Sequence, residues 1–297
     1  MMNGVINIYK ERGYTSQDVV AKLRGILKQK KIGHTGTLDP DAEGVLPICV
    51  GNATKLFDIL TDRTKEYETV LLLGKTTDTQ DVSGKILSEN DSYKSLSDEI
   101  VKETINSFIP GYDQIPPMYS ALKVNGKKLY ELAREGKEVV RQPRRVDIDK
   151  IDITDISLPR ITMKLSVSKG TYIRTICEDI GNKLGCGGCM ESLLRTRAGS
   201  FSLDTALKLS EVEKIRDDGQ LDDIIKKVDE LFDYPSLHMR EENDKIVHNG
   251  NIFLAKDTIE NTVIDGNALV YDSTGIFVGI YTYVKSERKY KPFKMFL

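Results

Sequence analysis

Residues 33–47 read Gly-His-Thr-Gly-Thr-Leu-Asp-Pro-Asp-Ala-Glu-Gly-Val-Leu-Pro and gather more chemistry than any other stretch of the chain. One imidazole and three carboxylates stand among three glycines and two prolines. Glycine adopts positive φ at low cost, and proline fixes φ and removes a donor. The segment therefore reads as a shaped loop, neither a helix nor the middle of a sheet. Loops on rigid scaffolds are where catalytic groups collect. A carboxylate there can serve as acid, base or nucleophile. Asp39 precedes a proline, which suits a purely structural turn equally well. No spacing rule separates it from Asp41 or Glu43.

Other candidate groups are scattered. Arg174 lies one turn before Glu178, the spacing of an ordinary surface pair. It also ends Lys169-Gly170-Thr171-Tyr172-Ile173-Arg174, a strand-to-helix junction from which an Arg can point back at a loop carboxylate. Tyr67 opens an apolar strand and fits core packing as well as a site wall. His34, His238 and His248 form no HExxH pair and no compact cluster, so no metal is expected. Cys186-Gly187-Gly188-Cys189 is a lone CxxC without a second ligand pair or a thioredoxin-like context. No GxGxxG or Walker loop is present.

The elements that must position these groups follow from periodicity and punctuation. Residues 4–9 read as a strand. Thr15 or Ser16 can cap a helix in which Val19, Val20, Leu23, Ile26 and Leu27 recur at helical spacing. Residues 48–50 read as a buried strand, 53–60 as a short helix and 67–73 as a further strand. Residues 76–84 form a polar loop, and Ser97 opens a helix that runs to Phe108. Asn125-Gly126 signals a hairpin turn, and residues 128–134 a short helix ended by Gly136. Residues 146–156 and 161–167 alternate with period two. Ile173, Ile176, Cys177, Ile180 and Leu184 mark another helix, and an acidic helical region runs on to Phe232. Beyond Pro235 the apolar runs 252–255, 268–271 and 276–283, separated by Gly, Asn and Asp, indicate a small β-rich module.

At 297 residues, one large and one small domain are expected. A hydrophobic fraction of 39% is that of a soluble protein, and no apolar run is long enough to span a membrane. The first residues lack a basic and apolar leader, so we expect a cytoplasmic protein with reduced thiols. The net charge of −2 conceals polarity along the chain. Residues 116–145 carry eight basic and three acidic side chains, whereas residues 203–230 carry five basic and nine acidic. A basic segment is the footprint of a polyanion partner, although charge runs are often only solvated faces.

Residues 33–40, continuing through 44–47 to Gly51-Asn52-Ala53-Thr54-Lys55, resemble the signature of the TruB family. These are bacterial enzymes that isomerise uridine 55 in the T-loop of tRNA to pseudouridine. Four further segments match in order: Lys65-Glu66-Tyr67; Thr77-Asp78-Thr79 with Asp81 and Gly84; 117–123 with 126–130; and 168–174. The resemblance covers residues 3 to about 200. It implies an α+β pseudouridine synthase fold, with a mixed, mostly antiparallel sheet flanked by helices. The catalytic domain would span 1–232, with an RNA-gripping insertion at about 119–150. Residues 236–297 would be a PUA-like RNA-binding domain. By position, Asp39 resembles the nucleophile and Arg174 the Arg that pairs with it. Tyr67 resembles the Tyr that stacks on the target base and assists proton removal. Leu193 resembles an apolar pocket wall, and His34 the residue that holds the extruded loop. Tyr172, Lys123, Lys127 and Lys128 fall in matched segments as RNA or base contacts. The chain departs from the family at Glu11, where Pro is common, at Cys189, where His is usual, and at Leu194, where Arg is usual.

This chemistry needs no cofactor, because breaking N1–C1′ and rejoining through C5 is neither redox nor net hydrolysis. The carboxylate must stay charged in a closed pocket. Burial opposes that charge and an adjacent Arg⁺ favours it. The expected partner is the T-arm of tRNA, met by a monomer without membrane or small-molecule cofactor. A non-catalytic RNA-folding factor, or a synthase acting on another RNA, would share these binding features.

Overall fold

The computed structural model describes residues 2–61, 64–124 and 126–297. Strand Gly4–Lys10 pairs antiparallel with Glu43–Val50, from Gly4 opposite Val50 to Lys10 opposite Gly44. A mixed sheet then continues through Gly188–Ala198, Lys65–Leu73, Arg160–Val167, Arg144–Ser157 and Gly111–Gln114. Every pairing along this path is antiparallel except that of Gly188–Ala198 with Glu43–Val50. That parallel contact is confined to Leu194 opposite Glu43 and Arg195 opposite Gly44. It brings the end of the glycine-rich segment against the strand that carries Leu193 and Arg195.

Two groups of helices pack on this sheet. Helix Ser16–Ile26 begins at a capping box in which Thr15 and Asp18 bond each other's backbone. It buries Val19, Val20, Leu23 and Ile26 against Ile6, Ile8, Leu46 and Ile48. Helices Asp98–Asn106 and Ile173–Lys183 bury Val101, Ile105, Ile176 and Ile180 against Leu71, Met163 and Leu165. Each such side chain withdrawn from water contributes roughly 1.5–3 kcal/mol before entropy is counted. The C-terminal strands Ser236–His238, Asn267–Tyr271, Phe277–Val284 and Lys289–Met295 form a separate four-stranded sheet. Leu269, Ile280 and Phe296 of this module share a cluster with Val5, Val45 and Phe232, and Asn52 Nδ2 donates to the Phe296 carbonyl at 2.7 Å. The β-rich module thus shares apolar core with the larger sheet.

Several sequence expectations need correction. The loop is shorter than residues 33–47, because Ile32–His34 and Glu43–Val50 are strands that pair with each other. Pro47 is tolerated inside a strand because its nitrogen faces Thr35, whose N donates to the Pro47 carbonyl at 3.1 Å and whose own carbonyl accepts instead from Thr61 Oγ1 at 2.9 Å. The polar loop at 76–84 begins as a strand, Lys75–Thr77, paired with Ile86–Glu89. The acidic region reduces to one α-helix, Leu209–Asp217, followed by short 3₁₀ turns. Residues 252–255 are not a strand, whereas Lys289–Met295, rich in Lys, is one. The turn at Asn125-Gly126 falls partly outside the described residues, since Asn125 is not among them. Lys123–Val124 and Lys127–Lys128 pair on either side of it.

Gly44 shows why the sequence spends glycine here. Its φ is +105°, and a Cβ would lie 2.3 Å from the Arg195 carbonyl oxygen. Both the backbone conformation and the close strand crossing require hydrogen at that position. Gly44→Ala should therefore cost at least about 2 kcal/mol in urea unfolding; a change within about 0.5 kcal/mol would show that the crossing is soft.

Candidate active site

The shortened loop, residues 35–42, is held at successive carbonyls. Thr61 Oγ1 donates to Thr35 O at 2.9 Å, and Arg195 Nη2 to Gly36 O at 3.3 Å. Ser16 Oγ donates to Leu38 O at 3.1 Å and accepts from Leu38 N at 2.8 Å. Gly13 N and Lys10 Nζ both donate to Pro40 O, at 2.9 and 3.1 Å. Lys10 has no exposed surface and also donates to Tyr14 O at 2.6 Å and Glu11 O at 3.2 Å. Burial pushes its ammonium down to about 8, opposed by Glu43, Asp39 and Asp41.

The three rival carboxylates separate by their surroundings. Asp41 faces exposed Arg12 at 3.6 Å, and Glu43 accepts from Tyr9 Oη at 3.2 Å. Asp39 Oδ2 meets Arg174 Nε at 2.9 Å, with the Arg side chain 5% exposed and the Asp side chain 40% exposed. The acid is open to a ligand while its cation is not. Arg174 does not pair with Glu178, so the surface-pair reading fails. Its Nη1 donates to Thr79 O at 2.8 Å, its Nη2 to Tyr119 O at 3.0 Å, and Asp81 Oδ2 lies 3.8 Å away. Tyr172 caps the same helix, and Gln114 grips its backbone through 2.9 and 3.1 Å bonds. Burial raises the Tyr172 phenol above its ordinary range.

Asp39 opens on a cleft of about 800 Å³ that also meets Tyr67, Tyr172, Leu193, Arg174 and Arg195. Tyr67 is directly opposite Arg195, and Leu193 is opposite Thr69. Alternation then puts Tyr67, Leu193 and Arg195 on one face of the sheet. Tyr130 and Arg134 of the short helix Leu129–Arg134 close part of the rim, the Arg lying 5.5 Å over the Tyr ring. His34, Lys123, Lys127 and Lys128 do not line the cleft. Lys123 and Lys127 are exposed on the neighbouring hairpin, where Lys127 meets Glu135 at 3.2 Å. Lys128 lies 5.3 Å from the Tyr130 ring. His34 is half-buried in its strand with Nδ1 unpartnered. Cys186 and Cys189 are buried free thiols, and burial pushes Cys189 up to about 11. Among the described residues, no three His, Cys, Asp or Glu side chains converge on a possible metal position.

Sequence reasoning missed Lys10, Gln80 and Arg195. Lys10 did leave a signal: it shares the apolar phase of Ile6 and Ile8, where an unpaired cation would be costly. Arg195 follows Leu193 at the same two-residue phase and is 1% exposed.

The fold is that of the pseudouridine synthases. A chain from the "Crystal Structure of a Cbf5-Nop10-Gar1 Complex" superposes with a TM-score of 0.73 at 24% identity, covering 99% of this chain and 85% of that one. A chain from the structure of an H/ACA RNP bound to a substrate RNA containing 2′-deoxyuridine gives 0.72 at 22%, with the same coverage. The model of the TruB family pseudouridylate synthase N-terminal domain matches residues 24–173, and that of the tRNA pseudouridylate synthase B C-terminal domain matches 174–233. The tRNA pseudouridine synthase B of Lachnoclostridium phytofermentans is 51% identical over the full length of both chains. That of Alkaliphilus oremlandii is 45% identical over 94% of this chain and 90% of its own. The chain belongs to the TruB family.

His34 supplies a pH test. Burial, then the Arg195 charge, lowers its imidazole below the ordinary 6.5. As pH falls below that value the unfolded chain binds the proton first, so stability drops. Wild type should lose stability relative to His34→Gln between pH ~7 and ~5 in paired urea titrations. An unchanged difference would show that the imidazole titrates normally.

Proposed function

We propose that the chain isomerises uridine 55 of tRNA to pseudouridine, with Asp39 acting on the target nucleotide. The observation that carries this reading is a ligand-accessible carboxylate held at 2.9 Å by a buried guanidinium on the wall of a nucleotide-sized cleft. The relatives are named tRNA pseudouridine synthase B, which supports the reaction class and the tRNA substrate.

The reaction breaks N1–C1′ and joins C5 to C1′; C5 gives up a proton and N1 gains one. Asp39 can serve this either by attacking the sugar or base covalently or by taking the C2′ proton, and both routes use the same ionised oxygen. Arg174 fixes that oxygen and balances its charge. The target base leaves its stack at a cost of a few kcal/mol. Tyr67 receives it by stacking, worth roughly 1–3 kcal/mol, against the apolar wall of Leu193. Tyr172 bounds the same pocket, and His34 steadies the extruded loop from beside it. Lys123, Lys127, Lys128, Arg141 and Arg145 meet phosphates from the insertion at about 119–150. The ion pairs of Lys127 with Glu135 and of Arg145 with Asp147 are largely exposed and so readily exchanged for RNA, whereas Arg141 is 21% exposed and also donates to Pro116 O at 3.0 Å. Residues 1–232 act as the catalytic domain and 236–297 as a PUA-like RNA-binding domain, in a monomer that grips the T-arm.

Chemical mapping of pseudouridine in a tRNA transcript tests this directly. Asp39→Asn should lower kcat by roughly 10³-fold or more while tRNA still binds. Retained turnover would reject the assignment, and RNA refolding without any pseudouridine would favour a folding factor. Arg174→Lys loses the guanidinium fork and should cost roughly 10–100-fold; near-normal rates would show that the pair is incidental.

A further inference from the structure

Gln80 sits in the turn between Thr79 and Asp81, both of which face Arg174. Its φ is +66°, a left-handed conformation that glutamine rarely adopts. Such strain persists only where the surroundings over-determine it. Here every polar group of the residue is engaged. Its N donates to Thr77 O at 3.2 Å, and its carbonyl accepts from Met190 N at 2.9 Å. Its Oε1 accepts from Thr175 Oγ1 at 2.7 Å, and its Nε2 donates to Glu178 Oε2. A carboxylate accepts only, so the amide has one orientation. Thr175 and Glu178 belong to the helix that presents Arg174, and the Thr175–Gln80 bond is buried.

We propose that Gln80 is a positioning residue for the Arg174–Asp39 pair. Its carboxamide docks the turn on the helix, and its left-handed backbone then aims the Thr79 carbonyl at Arg174. Asp81 is carried into place by the same turn, whose own bonds run from Thr79 Oγ1 and Ser83 N to Asp81 Oδ1 at 2.8 and 3.0 Å. Without the carboxamide, the turn and the helix keep separate registers, and the guanidinium loses the neighbours that hold its Nε toward Asp39.

This inference rests on the reading of Asp39 and Arg174 given above, and the experiment separates the two. Pseudouridine formation on a T-arm transcript is measured for wild type, Gln80→Gly, Gln80→Glu, Arg174→Lys and the Gln80→Gly/Arg174→Lys double variant, with Tm for each. Gln80→Gly tolerates the left-handed backbone and deletes the side chain with its carboxamide. Its kcat should fall roughly tenfold with KM for tRNA nearly unchanged. In the Arg174→Lys background the same change should have a much smaller effect, because the group being positioned is already altered. Gln80→Glu sets two carboxyls against each other, and a shared proton restores the contact. Its rate relative to wild type should therefore recover as pH falls from about 8 to about 6. A wild type that makes no pseudouridine overturns the functional reading. An active wild type with Gln80→Gly near the wild-type kcat, equal losses in both backgrounds, or a pH-independent Gln80→Glu ratio overturns the role of Gln80.

Discussion

A guanidinium removed from water must have its donors matched, and Arg174 is matched by three segments far apart in sequence. Asp39, the Thr79–Asp81 turn and the Tyr119 carbonyl all converge on it. The planar, rigid fork of donors makes this a geometric constraint as well as a charge balance. Loop, turn and insertion therefore meet where one side chain puts them. Asp39 is the more open of the two carboxylates, its side chain 40% exposed against 16% for Asp81, so it is the group that carries the negative charge furthest into the cleft.

The loop beneath depends on a second use of buried cations. Lys10 and Arg195 have almost no exposed surface, and both spend their donors on main-chain carbonyls. Arg195 Nε reaches Val45 O at 2.7 Å while its Nη2 reaches Gly36 O, so it staples the strand Glu43–Val50 to the start of the loop. Lys10 staples the chain at Pro40 to the residues that precede helix Ser16–Ile26. Glycine and proline give the loop its path, and these bonds hold it to that path. That division explains how a segment so poor in regular structure can present a side chain to a fixed position.

Local signals were legible and long-range ones were not. Helices Ser16–Ile26 and Ile173–Lys183 follow from caps and apolar spacing, and the strands at Arg144–Ser157 and Arg160–Val167 from alternation. The fate of Arg174 was open, because helical spacing alone offers it Glu178. Tertiary packing decides the matter by giving Glu178 to Gln80 and Asp39 to Arg174. The extension of Glu43–Val50 into the glycine-rich segment was hidden for a similar reason. Gly44 and Pro47 read as breakers until a neighbouring strand supplies the crossing that requires the one and the bonding pattern that tolerates the other. Lys289–Met295 carries lysines and a proline and is a strand only because Phe277–Val284 pairs with it. The motif match to the TruB family selected Asp39 among three carboxylates, a choice that spacing could not make.

The central claim is that Asp39 meets a nucleotide drawn out of its stack. A crystal structure of the protein bound to a T-arm stem-loop measures this without reference to rates. The account predicts the target uridine inside the cleft, its base against Tyr67, and an Asp39 oxygen about 3–3.5 Å from C1′, C2′ or a ring carbon of the base with Arg174 still paired. A bound RNA whose target base stays stacked in its loop, with Asp39 facing solvent, would contradict it.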